Sequence, residues 1–289
     1  MAFVRNLTPR SLVLAAIAAL VVVGTGLFAW SKVDSSGFTP EVGQPGKDVI
    51  WVPTPDELVI EMLEAARVGP QDVVVDLGSG DGKIPIAAAR QFGARARGIE
   101  YNGDMVALSR RRAQEAGVAD KVTFVRGDIF KESFEDATVV TMYLLPRLNE
   151  RLKPTILSLR PGTRVVSNSF DMGDWRPDAT IDAGGSRAFF WVVPAKAAGV
   201  WTIPLTTEEP VRVELVQAYQ QLTGMATVAG RSSPVTDGVV RGADVTFTIQ
   251  DWRGGAWRVS GRMDGDVFKG GVMRVGGDVE RMIEVTRGK

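Results

Sequence analysis

The chain opens on an unbroken apolar run. Leu12 to Trp30 reads LVLAAIAALVVVGTGLFAW, 19 residues without a charge. As a helix it would span roughly 28 Å at ~1.5 Å per residue, close to the ~30 Å of a bilayer's hydrocarbon core. Arg5 and Arg10 precede it. The length argues for an uncleaved anchor over residues 1–31 rather than a signal peptide. The next stretch, KVDSSGFTPEVGQPGK, is rich in Ser, Gly and Pro and predicts a linker over 32–48. A helix is expected after Pro55, because Leu58, Met62, Leu63 and Ala66 recur at helical spacing.

From Asp72 onward short apolar runs alternate with amphipathic ones. Strands are expected at 73–77, 96–100, 122–125, 138–144 and 163–169, with helices at 82–92, 103–117 and 146–159. Continuous runs such as Val73–Leu77 are typical of parallel strands buried on both faces. This order predicts an α/β domain over 49–198, a Rossmann-like, doubly wound and mostly parallel sheet. Beyond Val200 the pattern changes. VRVELVQAYQ, DVTFTIQDW, AWRVSGRM and RMIEVTR alternate apolar with polar residues and are separated by Gly and Asp. An antiparallel β-rich module over 199–289 follows, a small barrel or sandwich.

Composition narrows the chemistry. The chain has no cysteine and no histidine. Serine or cysteine hydrolases that work through histidine are excluded, as are the usual zinc sites, and no metal is expected. A general base must be Asp, Glu, Lys or Tyr. Lys plus Arg equals Asp plus Glu at 34 each, so the basic excess of a nucleic-acid binder is missing.

The strongest motif follows the first strand: Asp76-Leu-Gly78-Ser79-Gly80-Asp81-Gly82. Its glycines let the backbone approach a ligand, and it opens onto a helix N-terminus. A dinucleotide fold wants glycine where Lys83 stands, and a pyrophosphate is repelled by Asp76 and Asp81. An acid at Asp76 suits instead a cationic ligand, such as the amino group of a methionine moiety. Glu100 ends the second strand within G-I-E-Y-N and is placed to accept from ribose hydroxyls. Asp128 ends the third strand in R-G-D-I-F, where a carboxylate can accept from an exocyclic amine. All three acids fall at carboxyl ends of parallel strands, where open α/β sheets bind ligands.

On these residues the chain resembles the class I S-adenosylmethionine (SAM) dependent methyltransferases. The resemblance covers about Trp51 to Pro194. D-L-G-S-G-D-G looks like their first motif, Glu100 like the ribose acid, and Asp128-Ile129 like the adenine-contacting pair. V-P-T-P at 52–55, D-L-G-S-G-D-G-K and I-E-Y-N…L-S-R-R are similar to one group. That group is the membrane-anchored protein-lysine methyltransferases of mitochondria and their bacterial relatives, which act on the ATP synthase c-subunit or the adenine nucleotide carrier. The resemblance implies SAM as cofactor, Pro53-Thr54 folded over it, and Asn102 beside Glu100 among its contacts. The fourth-strand segment Met142-Tyr-Leu-Leu-Pro146 lacks the Asn-Pro-Pro-Tyr signature of amino-methylating enzymes, and the β-rich C-terminus is extra.

The expected reaction is methyl transfer from SAM, most simply to a lysine amine of a membrane-associated protein. A lipid or quinone acceptor, and a non-catalytic SAM-binding role, are the alternatives. Tyr143 at the fourth strand tip is the candidate to line the transfer channel, against a plain packing role between sheet and helix. Asp171, Asp174 and Trp175 are candidates to border the substrate mouth, against a plain polar loop. A single-pass protein is expected, held in the membrane by its N-terminal helix. The charge count slightly favours an exported catalytic domain, but SAM is made in the cytosol, which places that domain on the cytosolic side of a bacterial inner membrane.

Overall fold

Residues 73–77 are expected to form a strand buried on both faces, and the structure, a computed structural model, places β1 at Val73–Leu77. It describes residues 37–205, 210–250 and 254–288. Val74, Val75 and Leu77 have no exposed surface, Val74 facing one apolar layer and Val75 and Leu77 the other. Such a strand needs helices on both sides, and the chain supplies them. On one side pack α1 (Asp56–Ala65), α2 (Lys83–Phe92) and α3 (Gly103–Glu115), through Leu58, Met62, Ala88 and Val106. On the other packs α4 (Pro146–Ile156), through Leu148, Leu152 and Ile156.

Local chemistry sets the helix ends. The Asn102 side-chain oxygen accepts from the backbone N–H of Asp104 at 2.9 Å, capping α3. Pro146 opens α4 where no donor is needed. Gly93 closes α2 in the left-handed conformation at φ +72.

The remaining strands of the first sheet are β2 (Arg95–Glu100), β3 (Val122–Arg126), β4 (Val139–Met142), β5 (Arg164–Asn168), β6 (Ala179–Ala183) and β7 (Ser186–Val192). Their order is β3-β2-β1-β4-β5-β7-β6. Strands β1 to β5 are parallel, while β7 runs antiparallel to β5 and pairs β6 in a hairpin. The sheet is therefore mixed, a Rossmann-like arrangement. The β6–β7 hairpin was not anticipated, although Gly184-Gly185 between two β-prone runs is a turn signal. The order reverses between β1 and β4, the switch point where such sheets bind ligands.

A second sheet begins at Gly199. It comprises β8 (Gly199–Ile203), β9 (Val211–Ala218), β10 (Gln221–Val228), β11 (Arg231–Arg241), β12 (Asp244–Gln250), β13 (Ala256–Asp264), β14 (Val267–Arg274) and β15 (Val279–Thr286). They form one antiparallel meander, ordered β15 to β8 without a crossover. The Gly288 N–H donates to the Val200 carbonyl at 2.8 Å, bringing the two edges together in a barrel-like closure. Register shifts in β10–β11, β11–β12 and β14–β15 supply the local bends that closure needs. Trp201, Val213, Val240, Phe247 and Val259 fill its inside, and the outside carries ion pairs such as Arg262–Asp244 and Lys269–Glu284.

Both sheets belong to one compact unit, Pro40–Lys289. The anchor expected over Leu12–Trp30 lies outside the described residues. Among the described residues no helix is long and apolar enough to cross a membrane. The longest, α3, has 13 residues, about 20 Å, and bears arginines. The expected single-pass membrane localisation, with its cytosolic catalytic side, is corrected accordingly.

Candidate active site

The carboxyl ends of β1, β2 and β4 open onto a cavity of about 620 Å³. The backbone builds its floor. The N–H groups of Gly78 and Ser79 both donate to the Ile99 carbonyl, at 2.9 and 3.1 Å, which folds the glycine loop back over β2. The Gly80 N–H donates to Glu100 Oε2 at 2.9 Å and the Asn102 N–H to Glu100 Oε1 at 2.8 Å. Glu100 is thus locked in orientation by two amides, and each of its oxygens keeps a lone pair for a ligand hydroxyl. The loop must stay thin, since a side chain on Gly80 would come within 2.7 Å of Trp51 Nε1.

Asp76 lies deeper, 3% exposed. Thr141 Oγ1 donates to its Oδ1 at 2.7 Å. Burial pushes its carboxyl up to about 7, and the nearby Glu100 and Asp81 push the same way. Asp81 has its own partner in Arg112; Asp76 has no cation among its side-chain partners. The Ser79 hydroxyl is buried against Gly98 of β2 without a protein hydrogen bond. An under-neutralised carboxylate lining the cavity fits a ligand that is cationic, as SAM is.

The opposite wall comes from the segment before α1. Its Gly43 N–H donates to the Trp51 carbonyl at 2.9 Å and the Trp51 N–H to the Gln44 carbonyl at 3.0 Å, a small folded-back strap. The end of the stretch expected as linker therefore faces the cavity from Gln44 onward. Thr54 is fixed from two sides. Lys83 donates to its carbonyl at 2.9 Å, and Asn168 Nδ2 to its hydroxyl at 3.2 Å. Lys47 pairs with Asp128 at 2.8 Å and lies 5.0 Å over the Tyr101 ring. That hydrogen bond, with one from the Phe130 N–H, holds the Asp128 carboxyl below the usual carboxylate range.

The third wall is apolar. Tyr143 and Phe170 lie with ring centroids 6.3 Å apart, beside Leu144, Leu145 and Leu148.

The cavity brings together Pro53, Thr54, Asp76, Gly78, Ser79, Gly80, Glu100, Asn102, Asp128, Ile129 and Tyr143 from the sequence expectation. Gly82 does not line it. Its φ is +81, and a Cβ there would meet Phe124 and Ser109 within 2.8 Å, so it closes packing between α2, α3 and β3. Asp171, Asp174 and Trp175 do not line it either. Trp175 is fully buried, Asp174 pairs with Lys153, and Asp171 accepts from the Gly173 N–H. Sequence reasoning missed Lys47, Trp51, Tyr101 and Phe170. The aromatics stand next to singled-out residues in the chain, but nothing in the pattern says which way they point. Among the described residues no group of three acids could hold a metal ion.

Residues 76–179 match the model of the ANTKMT methyltransferase domain. A protein-lysine N-methyltransferase of Saccharolobus islandicus (strain REY15A) is 43% identical over 135 residues, 46% of this chain and 84% of that protein. The adenine nucleotide translocase lysine N-methyltransferase of Mus musculus is 38% identical over 183 residues, 59% of this chain and 75% of that protein. A solved RNA methyltransferase from Salinibacter ruber, in complex with S-adenosyl-L-homocysteine, is 52% identical, covering 50% of this chain and 95% of that one at a TM-score of 0.49. Matched over most of the length of two such relatives, with the motif's Asp76, Gly78, Gly80 and Asp81 gathered in one cavity, this chain belongs to the ANTKMT family of SAM-dependent protein-lysine methyltransferases.

Proposed function

We propose that this methyltransferase acts on a lysine amine of a membrane-associated protein. The observation that carries the reading is the rim of the cavity. Ile50 is 60% exposed, Val52 37% and Leu145 37%, and all three line the opening. Apolar side chains left in water around a polar binding site suit an acceptor whose lysine is surrounded by apolar residues. The mouse relative is named for a translocase, which agrees with such an acceptor.

Roles follow from the walls. Asp76 takes the ammonium end of the cofactor, Glu100 the ribose hydroxyls, and Asp128 with Ile129 the adenine edge. Pro53 and Thr54 close over it, and Asn102 fixes Glu100 through its amide. When bound, SAM supplies a methyl group on a sulfonium, a leaving group that needs no proton. The protein then has to align the acceptor and exclude water. Tyr143 and Phe170 form the apolar channel for the lysine. No histidine is present to deprotonate it. Desolvation in that channel lowers the amine's pKa and gives the neutral nucleophile.

The test is radiolabelled SAM added with the protein to membranes from cells lacking it, followed by fractionation. Label in lysine of a membrane protein is expected. Label confined to a lipid extract, to RNA, or to soluble proteins alone would overturn the acceptor.

A further inference from the structure

The segment after β5 begins at Phe170 in the cavity wall and ends at Arg176. Three parts of the molecule hold it. From α4, Asn149 Nδ2 donates to the Phe170 and Asp171 carbonyls at 3.1 and 3.0 Å, and Lys153 donates to the Met172 carbonyl at 3.1 Å. From β7, Trp191 Nε1 donates to the Trp175 carbonyl at 2.9 Å. The third grip comes from the barrel. Gln220 Oε1 accepts from Trp175 Nε1 at 3.1 Å, and Gln220 Nε2 donates to the Arg176 carbonyl at 2.8 Å. The Tyr219 ring stacks on Trp175 at 5.9 Å and 15°, and Lys153 Nζ lies 5.7 Å from the Tyr219 ring centroid.

The turn that makes this grip carries no glycine. The β10–β11, β11–β12, β13–β14 and β14–β15 turns each carry a glycine at positive φ, Gly230, Gly242, Gly265 and Gly276, the first of them next to the small Ala229 at φ +48. The β9–β10 turn is Tyr219-Gln220, with Tyr219 at φ +56. A bulky residue in that conformation is disfavoured where glycine or asparagine would sit freely. Strain of this kind persists where the surroundings compensate it, and here the compensation is the stack on Trp175 together with the two Gln220 hydrogen bonds.

We propose that the β9–β10 turn of the barrel positions the acceptor side of the active site, Tyr219 and Gln220 holding the Phe170–Arg176 segment and so the Phe170 wall. The claim rests on reading that wall as the acceptor channel. It gives the barrel a part in methyl transfer without any of its residues touching cofactor. Tyr219 and Gln220 are positioning residues. Their loss should loosen the acceptor channel and leave the cofactor half, built on β1 and β2, as it was.

The experiment uses the full chain with Tyr219→Gly, Gln220→Ala and Tyr219→Phe. Glycine relieves the backbone and removes the ring, so the midpoint of unfolding should hold or rise. Amide exchange over 169–176 should nonetheless speed up at least tenfold. SAM affinity should stay within about twofold, while kcat/KM for the protein acceptor falls about ten- to a hundredfold. Gln220→Ala should move the same readouts in the same direction, and Tyr219→Phe should restore most of them. Unchanged exchange over 169–176 in both loosening variants would overturn the proposal, as would a SAM affinity that falls in step with transfer. A wild-type chain that labels no lysine would instead sink the acceptor reading, and the exchange measurement would still decide the role of the turn.

Discussion

The two sheets solve the problem of burial in opposite ways. In the eight-stranded sheet, β9 alternates from Val211 to Leu215, apolar inward and charged outward, and Thr248 is the sheet's buried polar residue among those described. In the seven-stranded sheet and its helices Asp76, Asp81, Ser79, Ser109, Thr141, Asn149, Ser167 and Asn168 are all buried. Buried polar groups cost stability unless they are paired, and a fold free of other demands avoids them, as the barrel does. Their concentration at the strand tips of the first sheet shows where stability has been given up for chemistry. Within that group Asp76 lines the cavity with a threonine hydroxyl as its side-chain partner and no cation, which marks the cofactor site.

Substitutions of equal chemistry in the two regions test this contrast. The largest effect is expected in the barrel. Phe247→Ala removes a ring that is 2% exposed and should cost about 3–5 kcal/mol of stability by denaturant titration. SAM affinity of the folded molecules should be unchanged, and a parallel loss of affinity would break the division between the two sheets. Next come two carboxylates. Glu100→Ala should weaken SAM binding by about 1–3 kcal/mol in calorimetry, because it strips two amides of their acceptor and the ribose of its partner. Glu214→Ala, on the outside of β9 and paired with Arg212, should leave that affinity alone. Equal affinities for Glu100→Ala and the parent would remove Glu100 from the ribose role.

The smallest effect is a pH dependence that only the first sheet should show. The Asp76 carboxyl is raised to about 7 from 3.8. Between those values the native state keeps a proton that the unfolded chain has lost, so this group's contribution to stability declines as pH rises through the window. A cationic ligand reverses the preference, since it binds the ionised form. SAM affinity should therefore climb as pH rises from 6 to 8, by up to about tenfold per unit below 7, and level off above. Asp76→Asn should flatten the profile, and a dependence that survives it belongs to another group.

Much of this was legible in the residues. The helix and strand periods placed β1 at the same bounds and the other parallel strands within two residues, because apolar periodicity reports burial directly. The second sheet was legible as an antiparallel meander from Val245, Phe247 and Ile249 alternating with polar neighbours. Its individual turns were less so, since Tyr219-Gln220 carries no turn signal and is held by Trp175 across the molecule. The β6–β7 hairpin that ends the first sheet was overlooked despite its glycine pair.

By itself the sequence determined the order of elements from α1 to β5 and the acids and glycines at the strand tips, because these depend on residue type and short-range spacing. Tertiary structure decided the rest. It set Gly82 against Phe124 instead of a ligand, buried Trp175, and put Lys47 on Asp128 across 81 residues of chain. The physical reason is that a side chain's direction and its partners depend on what packs against it from distant segments. No local pattern records that information until the chain has folded.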